Sequence, residues 1–259
     1  IYSKTSYHYG GENMLRSFYW YIMFGITLLA TTPKLLIVRY LEKQGKVKEK
    51  DDYVFKQVKK WARGNVKRSG AKLNIHGLEN IPEDGPVVFV SNHQGAFDIA
   101  LFLSHIPKPT GFIAKIEMKT KPLLSNWMKH IYCVFMDRQS LKGSASAILE
   151  GVNLLKQGKS LVIFPEGTRS KSDQIGEFKP ASMKLAIKAK APIIPVTIDG
   201  SYKVFEKNNK RITPDTVNVF IHPVIETKNL TKEEQNELCS KVYDIIRSKL
   251  PLQENNKKM

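Results

Sequence analysis

Short apolar runs alternate with charged, helix-patterned segments along most of this chain. Seven runs rich in β-branched and aromatic residues are predicted as strands, at 73–75, 87–91, 111–114, 131–136, 161–164, 193–198 and 217–221. Between them, residues 97–104, 144–157 and 182–189 read as helices. Thr231 and Glu234 have the spacing of a capping box and open a last helix directed toward Leu250. Upstream, Val54, Phe55, Val58, Trp61 and Ala62 recur at helical spacing from Asp51, and Gly70 closes that segment. The alternation predicts an α/β fold, a mixed and partly parallel sheet flanked by helices. No internal repeat is visible.

The amino-terminal pattern is different. Residues 17–33 form seventeen positions without a charge, and the apolar character resumes at 35–38 after Lys34. A bilayer crossing needs about 20 apolar residues, so this run sits at the lower limit. Tyr19, Trp20 and Tyr21 at its head match an interfacial aromatic belt. No small-residue cleavage pattern follows before Pro33, which disfavours a signal peptide. The expectation is a membrane-associated helical hairpin broken near Pro33, with a second helix over 34–43; a single true crossing is the alternative. The domain layout predicted from these shifts is a disordered or non-native lead at 1–13, with Met14 as the natural start, and the hairpin at 14–48. A catalytic domain at 49–252 and a disordered tail at 253–259 follow.

Candidate chemistry centres on Asn92-His93-Gln94-Gly95-Ala96-Phe97-Asp98, which follows the 87–91 run. Five positions on a helix is about 500° of rotation, leaving two side chains roughly 140° apart and out of contact. His93 is therefore predicted on the turn, with its ring folded back to Asp98 in the first helical turn. A carboxylate on one ring nitrogen fixes the tautomer and frees the other nitrogen to take a proton. A helix-capping Asp beside a turn histidine has the same spacing, so the pair needs support. Phe164-Pro165-Glu166-Gly167-Thr168-Arg169-Ser170 supplies it, opening at the end of another predicted strand, where open α/β sheets bind ligands.

These two blocks, NHQGAFD and FPEGTRS, about seventy residues apart, resemble the signature blocks of the glycerolipid acyltransferases. Lys115-Ile116-Glu117, with Pro122 and the closing Val134-Phe135-Met136-Asp137-Arg138, is similar to the family's second block. Ala191-Pro192-Ile193-Ile194-Pro195-Val196 is similar to its fourth, and the likeness spans roughly 73–224. One departure is that the second block usually carries a glycine where Tyr132 or its neighbours stand here.

The resemblance implies transfer of an acyl group from a thioester to an alcohol. His93 would remove the hydroxyl proton and Asp98 would stabilise the imidazolium, help typically worth roughly 100- to 10,000-fold in rate. FPEGTRS implies lysophosphatidic acid, 1-acyl-glycerol-3-phosphate, as acceptor and phosphatidic acid as product, with glycerol-3-phosphate or another lysophospholipid as the alternative. Acyl-CoA or acyl carrier protein is the expected co-substrate, and no cofactor is expected. Arg169 offers a planar fork matched to phosphate, joined in the resemblance by Lys115 and Arg138. Glu166 is expected to accept hydrogen bonds from acceptor hydroxyls, Gly167 lets backbone approach closely, and Thr168 completes the binding set.

Composition narrows the partners. The formal charge is +17, which points to nucleic acid, an anionic membrane or acidic small ligands. Twelve Lys and Arg fall in 39–72, immediately after the apolar stretch, the arrangement of a juxtamembrane cluster facing anionic lipid. Anionic membrane lipids are thus expected partners and nucleic acid is not, and the expected location is the cytoplasmic face of the cell membrane. The two cysteines, Cys133 and Cys239, cannot form a disulfide framework, and no metal motif is present. Gly158-Lys159-Ser160 fails as a P-loop because Asn153 stands where its first glycine is required. No G-x-S-x-G elbow occurs, and a thioester needs no covalent relay. Two other classes fit parts of the pattern: a non-catalytic basic membrane-binding protein, and a hydrolase in which His93 activates water.

Overall fold

The computed structural model describes residues 5–251; the first four residues of the expected lead and the tail 253–259 lie outside them. All seven predicted strands form. They are β1 (Lys72–His76), β2 (Val88–Ser91), β3 (Thr110–Lys115), β4 (Val134–Met136), β5 (Ser160–Ile163), β6 (Ile193–Asp199) and β7 (Thr216–Ile221). They make one sheet in the order β1-β7-β6-β2-β5-β3-β4, parallel at every pairing except β6 with β7. Every residue of β2 and β5 is buried, because helices cover both faces of the sheet. Alternation sends Phe89 to one core with Phe102, Phe112 and Ile194, while Val88 and Val90 join Leu161, Leu185 and Leu238 in the other.

On the Phe89 side lie α1 (Thr5–Leu29), α2 (Lys34–Lys43), α3 (Val47–Ser69), α4 (Phe97–His105) and α5 (Pro122–His130). The other face carries α6 (Leu141–Lys156), α7 (Lys184–Ala189) and, after the single turn α8 (Ser201–Val204), α9 (Lys232–Arg247). Local chemistry sets several boundaries. Gly70 closes α3 at φ +78°, the Ser140 hydroxyl accepts from Gly143 N–H to start α6, and Thr231 with Glu234 caps α9 reciprocally. The segment predicted as a helix over 182–189 is α7 led by a 3₁₀ turn at Pro180–Met183.

The strand predicted over 131–136 is shorter than expected, because α5 occupies the chain up to His130 and its exit takes three residues. Cys133 N–H bonds Met128 C=O and Tyr132 N–H bonds Lys129 C=O, the paired bonds of a Schellman close, with Tyr132 left-handed at φ +62°. A glycine normally occupies that position, which is the physical meaning of the departure at Tyr132. Here the phenol donates to Asp51 Oδ1 at 2.7 Å and accepts from Lys50 Nζ at 3.1 Å, with Lys159 Nζ over its ring.

The hairpin breaks where Pro33 predicts, between Leu29 and Lys34, although α1 already begins at Thr5, ahead of the apolar run. By length and composition Glu12–Lys43 is apolar enough to cross a membrane. One side of the hairpin nevertheless rests on the sheet domain. Trp20 is buried and donates to Asn65 C=O at 2.9 Å, Leu35 and Val38 pack on Val54 and Val58, and Trp127 donates to Thr31 Oγ1 at 2.9 Å. The other side presents Phe18 and Leu36, each 66 % exposed, and Ile26, 53 % exposed.

Candidate active site

Parallel pairing puts the carboxyl ends of β2, β5, β3, β4 and β6 along one edge of the sheet, and each predicted block leaves from that edge. The His93 loop follows β2, the Glu166–Arg169 turn follows β5, Lys115 ends β3, and Arg138 lies two residues beyond β4. The two main loops are joined by backbone: Ser170 N–H donates to His93 C=O at 2.8 Å and Lys171 N–H to Gln94 C=O at 3.1 Å. Asn92 pairs its side chain with both backbone groups of Ile198 at 2.8 Å, extending the β2–β6 ladder by one rung. The His93 loop is thus fixed from two sides.

His93 Nδ1 lies 2.7 Å from Asp98 Oδ2, and its ring stacks on Phe164 with centroids 4.0 Å apart. Asp98 is fully buried and accepts twice more, from Gly95 N–H at 2.9 Å and from the Ser201 hydroxyl. A carboxylate so surrounded by donors holds the imidazole proton on Nδ1 and leaves Nε2 as a base. Glu166 is placed differently from its sequence reading. Its Oε1 accepts from His93 N–H at 2.6 Å and its Oε2 from Gly176 N–H at 2.9 Å, so the carboxylate is a strut under the base. Burial pushes the Glu166 carboxyl up, against the pull of those two donors.

Gly167 turns at φ +73°, and the Arg138 guanidinium donates to its carbonyl oxygen. Burial lowers the Arg138 pKa, with Glu117 opposing the shift. Thr168 and Arg169 are exposed at the mouth of a cavity of about 680 Å³, which His93, Lys115, Arg138 and Phe164 also line. Below that mouth the walls are apolar: Trp20, Phe24 and Leu28 from α1, Val58 and Trp61 from α3, Leu103 from α4 and Trp127 from α5. The predicted site residues therefore converge on one opening, cationic at the rim and apolar inside.

Three contributors escaped the sequence reading: Ser201 on Asp98, Lys171 in the cavity wall, and Glu206. Glu206 Oε1 accepts from Ala96 N–H at 2.8 Å and from Arg169 Nη1 at 3.2 Å. Ser201 had a signal, since it follows a predicted strand on the ligand-binding edge. Glu206 had none, being 110 positions from Ala96. Among the described residues, no three His, Cys, Asp or Glu are placed to hold a metal ion.

A basic rim, an apolar cavity and an imidazole–carboxylate pair on the carboxyl edge of an α/β sheet define an acyltransferase, and the acyltransferase family model matches residues 72–199, from β1 to the end of β6. The chain is 31% identical over 182 residues to the 1-acyl-sn-glycerol-3-phosphate acyltransferase of Borreliella burgdorferi, covering 70% of this chain and 73% of that one. It is 39% identical over 146 residues to a probable enzyme of the same name from Mycoplasma pneumoniae, 54% of each chain. The crystal structure of the 1-acyl-sn-glycerophosphate (LPA) acyltransferase of Thermotoga maritima superposes with a TM-score of 0.80 at 28% identity, covering 92% of this chain and 94% of that one. The chain belongs to the 1-acyl-sn-glycerol-3-phosphate acyltransferase family.

Proposed function

We propose that this protein transfers a fatty acyl group from a thioester to the free hydroxyl of 1-acyl-glycerol-3-phosphate, giving phosphatidic acid. The observation that carries this reading is the convergence of His93, Lys115, Arg138 and Arg169 on the mouth of one apolar cavity. Arg169 and Lys115 hold the acceptor phosphate at the rim, Arg138 adds positive charge beside it, and the apolar walls receive an acyl chain, at about 0.8 kcal/mol per buried CH₂. His93 Nε2 takes the hydroxyl proton as the acceptor oxygen attacks the thioester carbonyl. The carbon–sulfur bond then breaks, and the leaving thiolate takes that proton back from the imidazolium, which the Asp98 carboxylate stabilises meanwhile. Phe164 against the ring and Glu166 under the backbone keep the base in place.

The exposed face of the hairpin lies in the headgroup region of the cell membrane, with the catalytic domain on the cytoplasmic face. Exposed Phe18, Ile26 and Leu36 beside a lysine-rich helix support that placement. The donor is acyl-CoA or acyl carrier protein, each acidic and each drawn to a basic rim. The test is purified protein with both donors and a panel of acceptors. Phosphatidic acid formed from lysophosphatidate supports the reading; free fatty acid released without any acceptor overturns it in favour of a hydrolase.

A further inference from the structure

Glu206 belongs to none of the motif blocks and sits on the 3₁₀ turn Glu206–Asn208 of the β6–β7 connection. Its side chain is 5 % exposed, yet its carboxylate is incompletely satisfied. Oε1 is shared by Ala96 N–H and the Arg169 guanidinium, while Oε2 is buried without a hydrogen-bond partner and lies where a Cβ on Gly95 would overlap it. Burying an acid with one oxygen unmatched is destabilising, and buried polar groups are otherwise almost always paired. Among the described salt bridges, this is the one that engages a cation of the cavity mouth.

Resting on the phosphate-binding role given above to Arg169, we propose that Glu206 sets how tightly phosphate is held, by competing with it for the Arg169 guanidinium. A phosphate monoester carries close to two negative charges at neutral pH and matches the same planar donor fork. To engage Arg169 fully it must displace Glu206 or lie beside an uncompensated carboxylate. The reason for such a brake lies in the reaction: acceptor and product carry the same phosphate. Binding that substrate, transition state and product share lowers KM without speeding chemistry, and an overly tight clamp slows product release. Glu206 withdraws Arg169 between turnovers, and through Ala96 it ties that movement to the loop carrying His93.

Glu206→Gln keeps an oxygen for Ala96 N–H and removes the charge. With lysophosphatidate as acceptor, E206Q is expected to lower KM about threefold to tenfold, with a parallel fall in the inhibition constant of inorganic phosphate. In an Arg169→Ala background the same substitution should change KM by less than about twofold, since its target is gone. Glu206→Ala should move KM in the same direction, and serves if the glutamine variant does not fold. An active wild type whose KM is unchanged or raised by both substitutions overturns the proposal, as does a full effect in the R169A background. A wild type that cannot acylate lysophosphatidate overturns both this proposal and the functional reading beneath it.

Discussion

His93 is useful as a base only because its neighbours remove its freedom. Asp98 takes one nitrogen at 2.7 Å, Phe164 stacks at 4.0 Å, and Glu166 holds the main-chain N–H at 2.6 Å. The first partner is legible in the sequence because it lies five residues away on a turn whose geometry can be worked out; Glu166, 73 residues on, is visible only as part of a motif. Its strut role follows from which backbone groups the folded loops present, and that is set by strand order, which local pattern does not encode. Tyr132 makes the same point about strain. A left-handed, β-carbon-bearing residue costs roughly 1–2 kcal/mol, offset here by bonds to Asp51 and Lys50 that the sequence does not reveal. Burial, and then the Asp51 bond, push its phenol up to about 12. An unfolded tyrosine ionises near 10, so between the two values only the unfolded chain releases the proton, and stability falls as pH rises through that window. Tyr132→Phe removes the group, so its melting temperature should fall less between about pH 10 and pH 12 than the wild type's. Parallel loss in both proteins would exclude the buried phenol as the cause.

At the scale of elements, the seven strands are legible because runs that pack on both faces need apolar residues at every position, as in β2 and β5. Helix α5 is less so. Pro122 at its start and the sparse Leu124, Trp127 and Met128 face blend into the loop after Lys115, and only the packing of Trp127 on Thr31 and Val58 makes its register clear. The hairpin shows two opposed uses of apolar surface. Trp20 is part of the main core, so Trp20→Ala should destabilise the fold by about 3–5 kcal/mol, measured by denaturant unfolding. Ile26→Lys, on the exposed side, should leave the unfolding midpoint within experimental scatter while weakening sedimentation with vesicles. Equal effects of the two substitutions on stability would mean that the hairpin has no lipid-facing side.

For the whole molecule, the +17 charge does not act as one patch. Of the twelve cations in 39–72, Lys50 is buried against Tyr132, Arg63 donates to Ser104 C=O, Lys59 to Ile106 C=O and Arg68 to Asn65, so part of the expected lipid-facing cluster is internal scaffolding. The remaining exposed charges should bind anionic vesicles with an affinity that drops steeply between about 0.05 and 0.5 M salt, leaving a residual apolar component; salt-independent binding would assign attachment to the hairpin alone. The seam between motif loops is also a property of the whole fold. It exists because β2 and β5 are neighbours, 73 positions apart at their paired residues Val90 and Ile163, and it brings His93 and Arg169 to one cavity. The most direct measurement of that arrangement is the kcat/KM of His93→Ala for acyl transfer to lysophosphatidate, taken on protein whose melting temperature and vesicle binding match the wild type. A loss of about 100-fold or more is the expected result. Transfer within a few-fold of wild type would contradict the assignment of His93 as the base.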